Sequence, residues 1–568
     1  MFRQNIHYSK PQQIDITELQ TKYFHPDYNS FNIDKLQLYN PIYKRFFDMN
    51  ENNYDKIALN HCYHIRDLEH VTCAKTNESH AKPVFIKYSP LLDPYRYMIG
   101  KYNVENENLR TMPRLNSTSE EVHSKILSPN NASYVDAFFS YLSSRLLHET
   151  GFENGLDFYG SYLGVQQKFK VCMTDDMEYL KLSDFFNKHV GKLFCVDNSD
   201  RLVDDDMGGS RKHRAHLCLE GDTDLQIDEF QDFSTLLFET DVAPSNSSEL
   251  KTVYSRTRKS SSSSDSDDSK LNYSTSESES AFESASDSGS ESAFETVSES
   301  ASESASESTS SYSDSEEEVY GYINNFPIQL ICMEKCDGTL DQLFENDEID
   351  EENGCSALFQ IIMTILTYQK AFQFTHNDLH TNNIMYVKTD KEFIYYRFEG
   401  KTYKVPTYGK IYKLIDFGRS IYKYLDNAFC SDSFAPGGDA STQYNCEPFF
   451  NENKPRLEPN NAFDICRLGT SIFDFMMDID DDYGEMDDLQ KIIYEWCLDD
   501  NGKNVLYRKN GEERYPSFKL YKMIARTVHK HTPEAQLNRP FFAKYLHEDP
   551  VEEKNVFSID RLGEISSP

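Results

Sequence analysis

The stretch FTHNDLHTNNIMY, Phe374 to Tyr386, is the most informative part of this 568-residue sequence. It places two His, one Asp and three Asn within thirteen residues, directly after the apolar helical pattern of residues 356–372. A second polar stretch, LIDFGRS, follows at residues 414–420, where Asp416 ends an apolar strand pattern. Polar groups gathered on loops beside buried elements indicate a functional site.

Asp378, Asn383 and Asp416 are candidates for phosphoryl transfer from ATP with Mg²⁺. This reaction needs a carboxylate that orients the attacking hydroxyl group and accepts its proton, a role that we assign to Asp378. It also needs oxygen ligands for magnesium, which the carboxylate of Asp416 and the amide of Asn383 can supply. The sequence therefore predicts these three residues as the catalytic set, with Asn383 and Asp416 as the metal ligands.

These motifs resemble those of the eukaryotic-type protein-kinase superfamily. Residues 376–383 are similar to the family's catalytic loop H-R-D-L-K-x-x-N, and the D-F-G motif at residues 416–418 is intact. The resemblance covers residues 57–547, interrupted by insertions, and serine/threonine kinases of giant DNA viruses are the most similar in pattern. It implies an ATP-dependent serine/threonine-protein kinase that acts on a protein substrate.

The resemblance also implies the residues that hold the nucleotide. VFIK, at residues 84–87, is similar to the third-strand motif V-A-I-K, so Lys87 is expected to contact the α- and β-phosphates. ICMEKCDGTL, at residues 331–340, resembles the hinge, with Met333 at the gatekeeper position. The backbone of Glu334 and Cys336 would then meet the adenine.

Three further residues receive roles from the same comparison. The helix acid that pairs with Lys87 is Asp136 in the favoured interpretation, with Glu120 and Glu121 as alternatives. DICRLG, at residues 464–469, is similar to a family helix in which Asp464 would brace the catalytic loop. Arg539, in NRPFF, would be structural.

The sequence departs from the family pattern at the phosphates. The first glycine is Gly100, after Lys87, so the expected lid strands of residues 57–82 lack a glycine-rich loop. Asn377 replaces the Arg that normally pairs with a phosphate group on the activation loop. Regulation by phosphorylation of that loop is therefore less expected. His380 replaces the Lys that neutralises charge at the γ-phosphate, and a His does so only when protonated or by donating one hydrogen bond.

Two alternative functions stay open. The missing glycine loop is compatible with a pseudokinase that keeps the fold as a nucleotide-sensing or scaffolding module. The pattern HxDLHxxN at residues 376–383 also resembles the loop of aminoglycoside and choline phosphotransferases, which keeps a small-molecule kinase open as an alternative. Those enzymes usually lack the Gly of D-F-G, so the intact motif favours the protein kinase.

The expected fold is an α+β, bilobal, protein-kinase-like fold with a small β-rich N-lobe and a larger helical C-lobe. Strands are expected at 83–89 and 155–165, helices at 133–149 and 462–476, and mostly helix from there to about residue 547. A long spacing of 38 residues separates Asp378 from Asp416, and residues 388–409 are predicted to form an inserted hairpin. The predicted parts are an N-terminal extension (1–56), the first part of the N-lobe (57–164), an insertion (165–320), the last N-lobe strand with the hinge (321–336), the C-lobe (337–547) and a C-terminal tail (548–568).

The composition of the chain indicates its partners, its disordered part and its compartment. The net charge of −36 argues against a nucleic-acid partner held through phosphate contacts. Residues 260–318 contain 26 Ser and 16 acidic residues, which predicts a disordered tract that an acid-directed kinase could phosphorylate. The sequence shows no apolar run that predicts a membrane span or a signal peptide, and no CxxC pair among 12 Cys. We therefore expect a cytoplasmic protein or, if it is viral, one of the host cytoplasm or the virion.

Overall fold

Sheets and helices alternate along the chain, which confirms the predicted α+β class. The computed structural model describes residues 6, 14–26, 28–174, 176–197, 318–478 and 483–563. The predicted disordered tract and its predicted phosphorylation sites lie outside these residues, apart from Glu318. Within the described ranges, no helix has the length and apolar character that crossing a bilayer requires.

The strands of the described residues are β1 (Ile33–Gln37), β2 (Tyr63–Ile65), β3 (His70–Cys73), β4 (Ser79–Ala81), β5 (Val84–Pro90), β6 (Phe158–Cys172), β7 (Phe194–Val196), β8 (Tyr320–Glu334), β9 (Gly338–Thr339), β10 (Ile384–Lys388), β11 (Phe393–Phe398), β12 (Lys401–Pro406), β13 (Lys410–Leu414), β14 (Ile421–Tyr424), β15 (Asn427–Cys430), β16 (Leu546–His547) and β17 (Val556–Ser558). The α-helices are α1 (Ile16–Lys22), α2 (Pro94–Met98), α3 (Ser124–Leu127), α4 (Ala132–Thr150), α5 (Met177–Lys181), α6 (Asp184–His189), α7 (Leu340–Glu345), α8 (Glu351–Phe372), α9 (Phe463–Met476), α10 (Asp488–Trp496), α11 (Lys519–Thr527) and α12 (Pro533–Gln536).

The largest sheet contains the strand of Lys87. Its order is β1-β6-β8-β5, with β7 also paired to β8, and the neighbouring strands are antiparallel. The predicted strand at 83–89 is present as β5, where Lys87 lies opposite Ile331. β6 continues past residue 165 to Cys172, because its long antiparallel partner β8 extends the pairing to Tyr320. The chain therefore leaves the sheet later than the sequence pattern indicates.

The segment expected to hold the lid strands forms a separate sheet. Strands β2, β3 and β4 pair with one another. The ring of Tyr63 lies 5.7 Å from the ring of His148 and 6.4 Å from that of Tyr159. This small sheet therefore packs beside the C-terminal end of α4 and the start of β6.

Helix α4 is buried along most of its length. Its N-terminus is capped by Asn131, whose side chain accepts a hydrogen bond from the backbone N–H of Ser133. It ends at Gly151, which adopts the left-handed conformation that helix ends favour. The ring of Phe139 on this helix lies 4.3 Å from that of Phe374 and 4.6 Å from that of Phe417. One aromatic cluster thus joins α4 to both polar stretches of the sequence.

Helix α8 and two short strands position the polar loops. The helix starts at a capping box formed by Asp350 and Asn353, and its apolar residues are buried. The chain then forms the loop of residues 374–383, followed by β10, which pairs with β13. This pairing puts Ile384 opposite Leu414, and the N–H of Ile415 donates to the carbonyl of Asn383. The catalytic-loop candidate and the D-F-G motif therefore lie side by side.

The predicted inserted hairpin is confirmed. Strands β11 and β12 pair in register around a two-residue turn, Glu399–Gly400, where both residues have positive φ. The C-terminal strand β17 adds to β11 in parallel, and β16 adds to β12. The hairpin is thus part of a four-stranded sheet, and the ring of Tyr403 packs 5.4 Å from that of Phe359 on α8.

The prediction of mostly helix to residue 547 is wrong. Between Met476 and residue 547, only α10, α11, α12 and the 3-10 turn Pro540–Tyr545 are helical among the described residues. The turn formers of DDNGKN (499–504) and KNGEERYP (509–516) interrupt the helical pattern. Arg539 pairs with Glu495 and donates from Nε to Gln536 at 2.6 Å, so it ties α10 to α12.

The N-terminal residues pack on α4 and on the hairpin of β14 and β15. The ring of Phe46 lies 4.6 Å from that of Phe138 and stacks 5.6 Å from that of Phe429. Arg45 donates to the carbonyl of Ala428 at 2.7 Å and to the side chain of Asn130 at 2.8 Å. Residues before the kinase-like segment therefore help to hold α4 in place.

Candidate active site

A buried lysine joins the two halves of the candidate site. Nζ of Lys87 lies 2.8 Å from Oδ2 of Asp136 and 2.8 Å from Oδ1 of Asp416. Asp136 also accepts a hydrogen bond of 3.0 Å from the backbone N–H of Phe417 through Oδ1. The structure thus brings one residue from β5, one from α4 and the D-F-G motif into a single cluster.

The two alternatives for the helix acid lie elsewhere. Glu120 and Glu121 are exposed, and the carboxylate of Glu121 accepts a hydrogen bond of 3.1 Å from the N–H of Thr118. Asp136, in contrast, is only 1% exposed and points from α4 toward the strand of Lys87. Its shorter side chain suffices because α4 packs close to β5, where Ser89 donates to Ser133 at 2.8 Å.

Charge interactions decide the ionisation of this cluster. Burial alone lowers the pKa of Lys87, but the carboxylates of Asp136 and Asp416 outweigh it and raise that pKa above its ordinary value. Burial raises the pKa of Asp416, yet the Lys87 ammonium group outweighs it and holds that pKa below its usual range. Lys87 is therefore protonated and Asp416 is ionised at neutral pH.

Asp416 has an unusual backbone conformation. Its φ is +59°, in the left-handed region that residues with a β-carbon adopt only at some cost, although Asp tolerates it better than most. The same residue is held by Lys87 and is followed by the buried ring of Phe417. Backbone strain of this kind is concentrated at functional sites.

Asp464 binds the backbone of the catalytic-loop candidate. The buried Asp464 of α9 accepts hydrogen bonds from the backbone N–H groups of His376, at 2.8 Å, and Asn377, at 2.9 Å. The ring Nε2 of His376 lies 2.9 Å from the carbonyl of Ile415. The side chain of Asn377 accepts from the hydroxyl of Tyr444 at 2.8 Å. The first part of the loop is therefore fixed by buried hydrogen bonds.

The carboxylate of Asp378 meets a tyrosine and an arginine. The hydroxyl of Tyr521 donates to Oδ1 of Asp378 at 2.7 Å, and Nη1 of Arg419 lies 3.5 Å from Oδ2. Burial raises the pKa of Asp378, but the positive charges of Arg419 and Arg467 and the hydrogen bond from Tyr521 outweigh it and hold that pKa well below its usual range. Asp378 is thus ionised and able to accept a further hydrogen bond.

His380 is neutral, and it orients Asn383. Burial lowers the pKa of His380 to about 4, so the ring is uncharged at neutral pH. The amide nitrogen of Asn383 lies 3.0 Å from Nε2 of His380 and 2.9 Å from the carbonyl of Asp378. These contacts use both N–H bonds of the amide and assign the proton of the histidine to Nδ1. The amide oxygen of Asn383 is then the atom that can bind a metal ion.

Asn383 and Asp416 suit a magnesium ion. An ionised carboxylate and an amide oxygen are hard oxygen donors of the kind that Mg²⁺ prefers. The orientation of the Asn383 amide and the ionised state of Asp416 both favour this fit. No charge is available from the ring of His380, so the expectation that it neutralises the γ-phosphate is restricted to hydrogen bonding.

The predicted hinge residues lie at the end of β8. Met333 is buried opposite Phe85 and Phe158 in the adjacent strands. The N–H of Glu334 donates to the carbonyl of Asp157 at 3.0 Å and is therefore already used. The predicted contact of the Glu334 backbone with adenine would then have to be made by its carbonyl group.

Beyond the strand end, Cys336 is half-buried, and burial raises the pKa of its thiol. The carboxylate of Glu334 lies 2.5 Å from Nζ of Lys413 on β13. That ion pair links the hinge candidate to the strand that leads into Asp416.

Sequence reasoning missed three side chains of the site: Arg419, Arg467 and Tyr521. Arg419 directly follows the D-F-G motif, and this adjacency is a signal that could have been used. Arg467 and Tyr521 lie 89 and 143 residues from Asp378 along the chain, and their contacts follow from the packing of α9 and α11. No local pattern in the sequence predicts them.

Comparison with known proteins gives two short matches. No known family profile matches the sequence. An uncharacterized protein of Caenorhabditis elegans is 34% identical over 71 residues, which are 12% of this chain and 24% of that protein. The serine/threonine-protein kinase haspin of Mus musculus is 31% identical over 90 residues, which are 15% of this chain and 12% of haspin. The similarity to haspin is consistent with the kinase superfamily. Neither relative is viral, and the resemblance to kinases of giant DNA viruses stays a prediction.

Proposed function

We propose that this protein is a serine/threonine-protein kinase with a bilobal kinase fold. The observation that best supports this proposal is that Lys87 lies 2.8 Å from both Asp136 and Asp416, which come from distant parts of the sequence. In this proposal the sheet of β5, β6 and β8 with α4 is the small lobe, and α8 begins the larger one. The short match to haspin, which is itself named a serine/threonine-protein kinase, supports the choice of substrate class.

Each residue then has one role in the transfer. The substrate hydroxyl oxygen bonds to the γ-phosphorus of ATP while the bond from that phosphorus to the β–γ bridging oxygen breaks. ADP leaves with the electron pair of the broken bond, and the hydroxyl proton passes to Asp378. Because the pKa of Asp378 is low, this carboxylate acts first as an anionic acceptor that orients the hydroxyl.

The remaining groups act on the nucleotide. Lys87 contacts the α- and β-phosphates, and the backbone of Glu334 and Cys336 meets the adenine beside Met333. Mg²⁺ would be held by Asn383 and Asp416 and would supply positive charge next to the phosphates. ATP and a protein are thus the proposed partners, in the cytoplasm. Phosphorylation of the Ser-rich tract by an acid-directed kinase stays a prediction.

A catalytically impaired nucleotide-binding scaffold is the second candidate. β5 is the last strand in the order of its sheet, and residues 57–82 form a separate sheet beside α4 and β6. Residues 57–82 therefore do not supply the glycine-rich loop that covers the phosphates in the kinase family, and this favours the scaffold over the kinase. A small-molecule phosphotransferase is the third candidate, favoured by the histidine in the loop of residues 376–383.

A transfer assay separates the three candidates. The wild type is incubated with Mg²⁺ and ATP labelled in the γ-phosphate, with a mixture of proteins and a panel of hydroxylated metabolites. The variants Asp378→Asn and Asp416→Asn remove one site carboxylate each. Asp500→Asn is the matched control, since Asp500 pairs with His529 on the surface.

We expect label on protein for the wild type and the control, and loss of the label in both site variants. Wild-type transfer no higher than that of Asp378→Asn, with ATP binding retained in a thermal-shift measurement, would overturn the kinase in favour of the scaffold. Label found in metabolites instead of protein would favour the third candidate.

A further inference from the structure

Helix α11 delivers a tyrosine to the catalytic candidate. Tyr521 is 143 residues beyond Asp378, and its hydroxyl donates to Oδ1 of that carboxylate at 2.7 Å. The inner face of α11 is formed by the buried residues Ile524 and Ala525, which anchor the helix against the core. The Tyr521 hydroxyl is therefore a specific polar contact made in addition to the packing of the helix.

The hydroxyl of Tyr521 is itself held by an arginine. Nε of Arg467, on α9, donates to the Tyr521 oxygen at 3.0 Å, and the guanidinium carbon lies 5.1 Å from the ring centre. The ring also stacks on Phe518 at 5.2 Å. The proton of the phenol is thus directed at Asp378, since its oxygen already accepts from Arg467. Hydrogen bonds in such a chain strengthen one another.

The second oxygen of Asp378 is held less tightly. Nη1 of Arg419 lies 3.5 Å from Oδ2, and the same guanidinium group makes a shorter contact of 2.5 Å with Asp439. Oδ2 thus has a positive charge nearby and can still accept a hydrogen bond. The two oxygens of the carboxylate differ: one accepts a short hydrogen bond, and the other faces a more distant cation.

We propose that Tyr521 is a positioning residue that locks Oδ1 of Asp378 and leaves Oδ2 to receive the substrate hydroxyl. This inference rests on the proposed kinase function. Without the lock the carboxylate can rotate about its Cβ–Cγ bond, and the fraction of complexes with the hydroxyl aligned for attack falls. The lock is expected to affect the substrate hydroxyl and not ATP binding, because Tyr521 contacts Asp378, whereas Lys87 and Asp416 are the residues proposed to hold the nucleotide.

The test compares Tyr521→Phe with Tyr507→Phe. Both changes remove a hydroxyl that donates to a carboxylate, because Tyr507 donates to Asp474 at 2.8 Å. Both tyrosines are half-buried, so the two changes are matched in exposure as well. For Tyr521→Phe we expect kcat to fall by about tenfold to a hundredfold, the rate effect of one charge-assisted hydrogen bond. The KM for ATP stays within about twofold of wild type, and Tyr507→Phe keeps the wild-type kcat.

A Tyr521→Phe variant as active as wild type would overturn the inference. A variant more active than wild type would also overturn it, because Tyr521 would then block the substrate hydroxyl. A rise in the KM for ATP with unchanged kcat would do so too, since the hydroxyl would then act on nucleotide binding.

A double-mutant cycle gives a second readout that needs no activity. The unfolding temperatures of Tyr521→Phe, Asp378→Ala and the double variant are measured against wild type, because Ala removes the acceptor oxygen that Asn would keep. We expect the double variant to lose less than the sum of the single losses, because either change alone removes the same contact. Strictly additive losses would overturn the inference even if the protein is an active kinase. If the wild type transfers no phosphate, the kinase proposal fails, and the same cycle still decides whether Tyr521 holds Asp378.

Discussion

The ammonium group of Lys87 lies 2.8 Å from the carboxylate of Asp136, with both side chains almost fully buried. Lys87 belongs to the edge strand β5 and Asp136 to the first turns of α4, so the contact fixes the helix against the sheet. Asp136 also accepts from the backbone of Phe417, which extends the connection to the D-F-G motif. A displacement of α4 would therefore disturb the candidate site directly.

Replacement of Asp136 is expected to inactivate the protein. Asp136→Ala leaves the N–H of Phe417 without its acceptor and the ammonium of Lys87 with Asp416 as its remaining partner, so both groups can then shift. We expect kcat/KM for ATP to fall by at least about a hundredfold in a steady-state transfer assay. Glu121→Ala is the control and keeps the wild-type value, because Glu121 is exposed on a separate turn. Normal activity of Asp136→Ala would contradict the assignment of the helix acid.

A second contact of α4 indicates that the segment after the D-F-G motif stabilises the start of this helix. Asp432 accepts a hydrogen bond of 3.0 Å from the N–H of Ala132, the first residue of α4, and lies 2.8 Å from Nζ of Lys125. Asp432→Ala is expected to lower the free energy of unfolding by about 1 to 3 kcal/mol and to speed proteolysis within residues 421–440. Urea titration and limited proteolysis measure the two effects. The exposed Glu452→Gln serves as control, and equal behaviour of both variants would count against this anchor.

Magnesium dependence tests the orientation of Asn383. Asn383→Ala removes the amide oxygen, so the Mg²⁺ concentration that gives half-maximal transfer should rise by about tenfold. The neighbouring Asn382 is exposed, and Asn382→Ala should leave the magnesium requirement unchanged. A magnesium titration of transfer at saturating ATP measures both. The same requirement in both variants would exclude Asn383 as a ligand.

His148 gives the stability a defined pH dependence. Burial lowers the pKa of His148, but hydrogen bonds to Asp157 and Cys62 outweigh it and raise that pKa to about 9. Because this pKa is raised above the unfolded value of about 6.5, the stabilisation is complete below pH 6.5 and is lost as the pH rises through 9. We expect His148→Gln to be less stable than wild type by about 1 to 2 kcal/mol at pH 6.

Urea titrations at a series of pH values measure this effect. The difference between the two proteins should shrink toward zero near pH 10. A difference that does not change with pH would show that the histidine stabilises α4 without being charged.

Local patterns predicted the elements well where each element is long or strongly periodic. The strands β5 and β8, the helices α4 and α8 and the inserted hairpin of residues 388–409 carry their own alternation, apolar spacing or glycine turn. The segment after Met476 was predicted poorly because its short helices are separated by turns of Asp, Asn, Gly and Pro residues. The register between β6 and β8 also required the structure, because it joins residues separated by the long insertion.

The candidate site divides in the same way. Asp378, Asn383 and Asp416 stand in short motifs, so they could be proposed from the sequence, and their roles stay predictions. The neutral state of His380 follows from burial, which the sequence pattern does not give. The contact of Tyr521 with Asp378 depends on how α11 packs against α9, so it has no signature in either segment.

Identification of the phosphorylated amino acid is the most direct measurement of the central claim. Wild type and Asp378→Asn are incubated with Mg²⁺, labelled ATP and serine-, threonine- and tyrosine-containing peptides, and the products are hydrolysed to amino acids. We expect phosphoserine and phosphothreonine from the wild type and none from the variant. Equal amounts of label from both proteins, or no label from either, would contradict it.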